Sequence, residues 1–124
     1  MLDDKTRALM GDKAAQARLT AAGVLLPCRT CGSAPRLRND GIKIDHGNRF
    51  LEKECDFFTS WYVACRCGET KCGWVTQYHL NDDGTVTMIG KRDGRKEAIQ
   101  NWNTRAAVLT PEQLAELERM GEMK

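Results

Sequence analysis

Several short stretches of the chain alternate apolar and polar residues, which is the pattern of strands buried on one face. Residues 57–64 have the aromatic and β-branched composition of a strand. Residues 74–78 and 85–89 flank an Asn-Asp-Asp-Gly sequence and predict a β-hairpin. Residues 36–44 place alternating apolar and charged residues on both sides of an Asn-Asp-Gly sequence, so a second hairpin is expected there.

Three other segments have helical patterns. Residues 3–22 are rich in Ala, Leu, Lys and Arg and predict a helix that Gly11 weakens and Gly23 ends. Residues 110–113, Thr-Pro-Glu-Gln, supply an N-cap, a first-turn proline and a capping-box glutamine for a short C-terminal helix. Residues 95–107 predict a further helix, because four apolar residues share one of its faces: Ala98, Ile99, Trp102 and Ala106.

The six cysteines add candidate chemistry to this pattern. Cys28-Arg-Thr-Cys31 is followed by glycine, and a second cluster contains Cys65, Cys67 and Cys72. A C-x-x-C turn directs two thiolates at one point, and two such turns form a tetrahedral zinc site. The chain contains few aromatic residues for its core, and a bound metal contributes folding energy directly. The sequence therefore predicts one structural zinc ion.

The ligands must be chosen among more thiols than one zinc ion accepts. Cys28 and Cys31 form the first pair, and Cys65, at the end of a predicted strand, is the third ligand. For the fourth ligand we favour Cys72, which has a following glycine and a roomier loop. Cys67 is the alternative; it also precedes a glycine, but its spacing of only two residues from Cys65 ranks it second. The fold class expected from these elements is α+β, with a small zinc-ribbon-like β core that carries hairpin insertions. A C-terminal helix packs on this core, and additional helices lie at both ends of the chain.

Composition and charge exclude several function classes. Nineteen basic and seventeen acidic residues give a net charge of +2, so the chain lacks the overall charge of a nucleic-acid-coating protein. No stretch approaches the ~18–20 apolar residues of a membrane span, and no membrane association is expected. The acidic start has no apolar signal region, so we expect cytoplasmic localisation with reduced thiols.

Catalytic patterns are weak in this sequence. Four thiolates close a zinc site to substrate, and the histidines, His46 and His79, are isolated. Asp45-His46 matches only one step of an HNH nuclease motif. We therefore expect a protein that is not an enzyme and has no small-molecule substrate. A candidate binding surface consists of the basic residues Arg36, Arg38, Lys43, Lys91, Arg92 and Arg95.

Three motifs follow one another in a distinctive order. Residues 25–32 read Leu-Leu-Pro-Cys-Arg-Thr-Cys-Gly, residues 62–68 form a Tyr-Val-Ala-Cys strand with a cysteine-glycine hook, and residues 98–105 read Ala-Ile-Gln-Asn-Trp-Asn-Thr-Arg. This order resembles the Lar-type restriction alleviation family of phages and prophages. The second hook departs from the family's C-x-x-C pattern. The resemblance spans about residues 24–107.

The resemblance implies a zinc-ribbon domain over residues 24–107, with a helical extension at 1–23 and a C-terminal helix at 108–124. It also implies a phage-encoded accessory protein that relieves restriction by binding a host defence protein, such as a restriction–modification enzyme. The helix that packs the ribbon would use Ile99, Trp102, Asn103 and Arg105. The alternative is a zinc-ribbon module that binds nucleic acid or regulates transcription, since basic and aromatic residues lie near the cysteines.

Overall fold

The computed structural model describes residues 2–122 of the chain. It contains four helices and five strands within those residues. In chain order these are α1 (Asp4–Leu9), α2 (Lys13–Ala21), β1 (Arg36–Ile44), β2 (Phe57–Ala64), β3 (Thr70–Cys72), β4 (Thr76–Leu80), β5 (Val86–Ile89), α3 (Gly94–Asn103) and α4 (Pro111–Glu122). The fold class is α+β, as the sequence predicts.

One antiparallel sheet organises the fold around β2. Strand β1 pairs with one edge of β2. The other edge is shared, because β4 pairs with residues 57–59 and β3 with residues 62–64. Strand β5 pairs with β4 at the outer limit of the sheet, which confirms the predicted hairpin. Helix α3 packs on one face of the sheet, over β2 and β3.

The hairpin predicted over residues 36–44 is wrong. These residues form the single strand β1, whose register against β2 shifts between Asn39 and Ile42. Gly41, with φ of 92°, takes the left-handed backbone conformation inside this bulge. The bulge is held by side chains, since Asn39 Nδ2 donates to Thr59 Oγ1 and Thr59 Oγ1 donates to the Gly41 carbonyl at 2.8 Å. The polar sequence therefore bends a strand instead of reversing it.

The single helix predicted over residues 3–22 is divided into α1 and α2. Gly11 lies between them with φ of 97°, and Asp12 caps the start of α2 by accepting from the Ala14 amide. A Cβ at Gly11 would lie 2.3 Å from the Cα of Ala107, so the glycine also permits a close approach to the segment that follows α3.

Helix α3 is shorter than predicted, whereas the cap of α4 agrees with the sequence. The chain becomes extended at Thr104, so Ala106 lies outside α3 and is exposed.

At α4 the predicted capping box is present, because the Thr110 amide donates to Gln113 Oε1 at 3.0 Å and the Gln113 amide donates to Thr110 Oγ1 at 3.1 Å.

Two small apolar clusters stabilise the fold. The first joins the sheet to α3 and consists of Cys28, Val63, Cys65, Ala98 and Trp102. The second joins α1 and α2 to the segment before the cysteines and consists of Ala8, Ala15 and Leu26. An ion pair of 2.7 Å between Arg7 and Glu118 links α1 to α4. No helix within residues 2–122 has the length and apolar character needed to cross a membrane.

Candidate metal centre

Four thiols converge at the end of the sheet next to α3. The Sγ atoms of Cys28, Cys31, Cys65 and Cys67 all lie within 4.8 Å of one another. The Cys28–Cys67 sulfurs are 3.6 Å apart and the Cys31–Cys65 sulfurs are 3.2 Å apart. These four thiols are the only group of at least three Cys, His, Asp or Glu ligands that lies this close together among residues 2–122. The arrangement can hold a metal ion.

The first pair is presented by a tight turn directly before β1. The Gly32 amide donates to the Cys28 carbonyl at 2.8 Å, and the Cys28 amide donates to the Ser33 carbonyl at 2.9 Å. Gly32 has φ of 74°, a conformation that other residues resist. The turn therefore directs Cys28 and Cys31 toward the same point, as the C-x-x-C-G sequence predicts.

The second pair is presented by a similar but shorter turn between β2 and β3. The Cys65 amide donates to the Glu69 carbonyl and the Gly68 amide donates to the Cys65 carbonyl, both at 2.9 Å. Gly68 has φ of 99°. One residue fewer than in the first turn separates Cys65 from Cys67, yet both sulfurs reach the centre.

Our preference for Cys72 as the fourth ligand is corrected by this geometry. Cys72 is the last residue of β3 and is paired opposite Tyr62, so the strand carries its exposed thiol away from the other four sulfurs. The glycine after it has a different role: a Cβ at Gly73 would lie 2.4 Å from the Gly94 carbonyl oxygen. Gly73 thus permits α3 to approach the sheet, whereas Gly68 shapes the metal turn.

The surroundings of the thiols shift the pKa values of Cys31 and Cys65 in opposite directions. Hydrogen bonds from Ser33, first from its hydroxyl and then from its amide, lower the pKa of Cys31 to about 6. At Cys65 a hydrogen bond from the Cys67 amide lowers the pKa, but the neighbouring thiol of Cys31, burial and the thiol of Cys28 outweigh it, and the pKa rises to about 12. A metal that binds all four must therefore displace protons, which makes its affinity depend on pH.

Helix α3 holds the segment that leads into Cys28. The Trp102 indole N–H donates to the Leu26 carbonyl at 2.8 Å, and the Leu26 amide donates to Asn103 Oδ1 at 2.9 Å. Asn103 Nδ2 donates to the Val24 carbonyl at 2.7 Å and to Thr20 Oγ1 at 3.1 Å. Two consecutive side chains of α3 therefore fix the backbone immediately before the first metal turn.

Of the other two residues predicted for this helix region, Arg105 binds the same segment and Ile99 is buried. Arg105 Nη2 donates to the carbonyl of Pro27, the residue directly before Cys28. Burial lowers the pKa of Arg105. Ile99, in α3 itself, is buried. Ile99, Trp102 and Asn103 are buried and therefore unavailable to a partner, whereas Arg105 is half-buried.

The six predicted basic residues lie on different sides of the sheet. Arg92 forms a 2.7 Å ion pair with Glu97, Arg95 lies over the Trp61 ring on the α3 side, and Lys91 is exposed. Lys43 pairs with Asp40 at 3.1 Å. On the face opposite α3, a cleft of about 540 Å³ is lined by Ser33, Ala34, Arg36, Arg38, Ala64, Cys65 and Arg66.

Sequence reasoning missed two features. Arg66 completes the cleft, and its position inside the second cysteine turn was the available signal. The second feature is an exposed apolar area on the same face of the sheet as α3, in the part that the helix does not cover. There, a row of side chains runs across four strands. The row consists of the cross-strand neighbours Ile44, Phe57, Tyr78 and Met88.

No protein-family model, curated protein or solved structure matches this chain. The function of the site is therefore inferred from its own residues. Those residues form a group of four thiols that can hold a metal ion, and a helix that fixes the backbone before the first pair. The sheet also has two exposed surfaces, one on each of its faces.

Proposed function

We propose that this protein is a zinc-stabilised phage accessory protein that relieves restriction by binding a host defence protein. The supporting observation is that the three motifs of the Lar-type resemblance converge in space. Trp102 and Asn103 bind Leu26, Arg105 binds Pro27, and the adjoining turns bring four thiols together. Each motif thus contributes to one folding unit, as expected of residues that characterise a shared domain.

Zinc is the metal whose chemistry fits the four thiols best. Tetrahedral Zn²⁺ with sulfur ligands at about 2.3 Å requires sulfurs about 3.8 Å apart. The nearest sulfur pairs in this protein are separated by 3.2 and 3.6 Å. Four thiolates leave no coordination position for substrate, so the proposed role of the ion is structural and not catalytic.

The apolar sheet surface supports binding of a protein target. Ile42, Ile44, Val86 and Met88 each expose more than half of their surface, and Phe57 and Tyr78 lie between them. Apolar areas of this kind on a soluble domain mark protein-binding surfaces. The target is a host defence complex in the cytoplasm, where thiols remain reduced, and restriction–modification enzymes are the first candidates.

A plating assay tests the proposed function. Unmodified phage is plated on cells that carry a type I restriction–modification system, with and without expression of this protein. We expect plating to rise toward that of modified phage, and Ile44→Lys to reduce the effect because a charge would enter the apolar surface. Ser60→Lys, on the opposite face of the sheet, is the matched control. Unchanged plating in cells that contain folded, metal-loaded protein would contradict the proposal.

A second candidate function, nucleic-acid binding, is favoured by the arginine-lined cleft. Arg36, Arg38 and Arg66 form no ion pair with any residue in the part of the chain that the structure describes. Tyr62 lies opposite Arg38 on the same face and offers a ring for base stacking.

Fluorescence anisotropy with labelled oligonucleotides distinguishes the two functions. Phosphate binding would weaken steeply with salt. It would also weaken in Arg36→Glu but not in Arg95→Glu, which lies on the α3 side. The absence of salt-dependent binding would leave the cleft without a nucleic-acid role.

A further inference from the structure

The two edges of the sheet differ in how they are protected against further pairing. The edge strand β1 carries several charged residues and a bulge at Gly41, both of which discourage addition of another strand. The other edge strand, β5, has the sequence Val-Thr-Met-Ile, pairs with β4 without a register shift, and has no charged residue or proline. Its residues 86–88 are exposed, and no strand within residues 2–122 pairs with its outer edge.

The alternation of hydrogen bonds along the β4–β5 hairpin determines which backbone N–H and C=O groups of β5 do not bond to β4. The Asn81 amide donates to the Thr85 carbonyl at 2.8 Å, which makes these two residues a hydrogen-bonded pair. Such pairs alternate along an antiparallel ladder, so Thr87 also bonds to β4. The N–H and C=O groups of Val86 and Met88 therefore point outward from the sheet and can pair with another strand.

Charge along the β5 segment has opposite signs at its two ends. Asp82 and Asp83 lie in the turn before the strand, and Lys91 and Arg92 follow it after Gly90. Arg92 pairs with Glu97, but Asp82 and Lys91 form no ion pair within residues 2–122. An antiparallel copy of the same segment would place the acidic end of one chain beside the basic end of the other. This segment is therefore complementary to itself.

We propose that two copies of this chain associate by antiparallel pairing of their β5 strands about a two-fold axis at Thr87. In this register Val86 of one copy lies opposite Met88 of the other, so the outward-pointing groups of both residues are satisfied. Their side chains also meet across the axis and extend the apolar row of the sheet into the second copy. Because both partners use the same surface, the assembly closes as a dimer.

A matched pair of substitutions tests the location of this interface. Sedimentation equilibrium over a concentration series should give a dimer for the wild-type protein. Met88→Lys places a charge opposite Val86 of the other copy, twice per dimer, and should weaken association at least about ten-fold. Ile42→Lys makes the same change on the same apolar face, at a side chain that is 74% exposed but lies on β1, and should leave association unchanged. Equal weakening by both would place association on the apolar face and overturn the proposal.

Exchange of the charges at the two ends of β5 provides a test that does not alter the apolar side chains of the interface. Asp82→Lys and Lys91→Asp, both at exposed positions, should each weaken association about ten-fold at low salt, because like charges then meet at both ends of the paired strands. The double variant should restore wild-type association. A double variant as weak as either single variant would contradict antiparallel pairing, and a wild-type protein that remains monomeric at every concentration would refute the dimer.

Hydrogen exchange measures the backbone contacts directly. Exchange of the Val86 and Met88 amides should be slower at concentrations where the dimer predominates than where the monomer does. Thr87, whose amide already bonds to β4, should change less. Unchanged exchange at Val86 and Met88 in a sample that is dimeric would show that another surface forms the dimer. The proposal does not depend on restriction alleviation, since every readout uses the isolated protein.

Discussion

The most informative perturbation of this fold is the replacement of Asn103 by alanine. Asn103 is completely buried, and its amide group binds the backbone before Cys28 at two points. The Leu26 amide donates to its Oδ1 at 2.9 Å, and its Nδ2 donates to the Val24 carbonyl at 2.7 Å. Alanine removes both contacts, together with the bond from Asn103 Nδ2 to Thr20 Oγ1.

The magnitude follows from which of these groups water can reach. Leu26 is fully buried, so its amide would lose its partner without hydration, at a cost of about 1–3 kcal/mol. Val24 is 43% exposed, and water can replace the bond to its carbonyl, which reduces that loss to about 0.5–1 kcal/mol. We therefore expect Asn103→Ala to lower the free energy of unfolding by about 1.5–4 kcal/mol.

Denaturant unfolding, monitored by tryptophan fluorescence at a fixed zinc concentration, measures this free energy. Asn101→Ala is the matched control, because Asn101 lies in the same helix and makes one exposed bond to the Cys72 carbonyl. The control should change stability by less than about 0.5 kcal/mol. If the two variants were equally stable, Asn103 would not be the residue that fixes the segment before the metal turn.

Three further predictions concern the metal, the core and the helix contact. Cys67→Ser should lose bound zinc by elemental analysis, whereas Cys72→Ser should retain it, and the opposite result would refute the ligand assignment. Trp102→Ala should lower the free energy of unfolding by about 3–5 kcal/mol in the same denaturant assay, because the ring is buried and its indole bond is lost, and an unchanged midpoint would contradict that burial. Gly94→Ala should prevent α3 from docking, since its Cβ would lie 1.9 Å from the Trp74 carbonyl oxygen; a variant with native stability and near-UV circular dichroism would disprove this close contact.

Local sequence determined the elements whose cause is local. The composition of residues 57–64 predicted β2 with the observed bounds, and the polar turn before Thr85 predicted the β4–β5 hairpin. The capping box at Thr110 depends on residues three positions apart, so the sequence predicted it as well. The C-x-x-C-G turn at Cys28 belongs to the same class, because its backbone hydrogen bonds close within six residues.

Only the tertiary structure decided features that depend on distant partners. The sequence permitted either Cys67 or Cys72 as fourth ligand, because each precedes a glycine. Pairing of β3 with β2 carries Cys72 away, and its glycine is required by α3, which is distant in sequence. Likewise Asn39 could begin a turn or a bulge, and its bond to Thr59, twenty residues later, favours the bulge. A local pattern fixes which backbone shapes are available, whereas long-range packing selects among those of similar local energy.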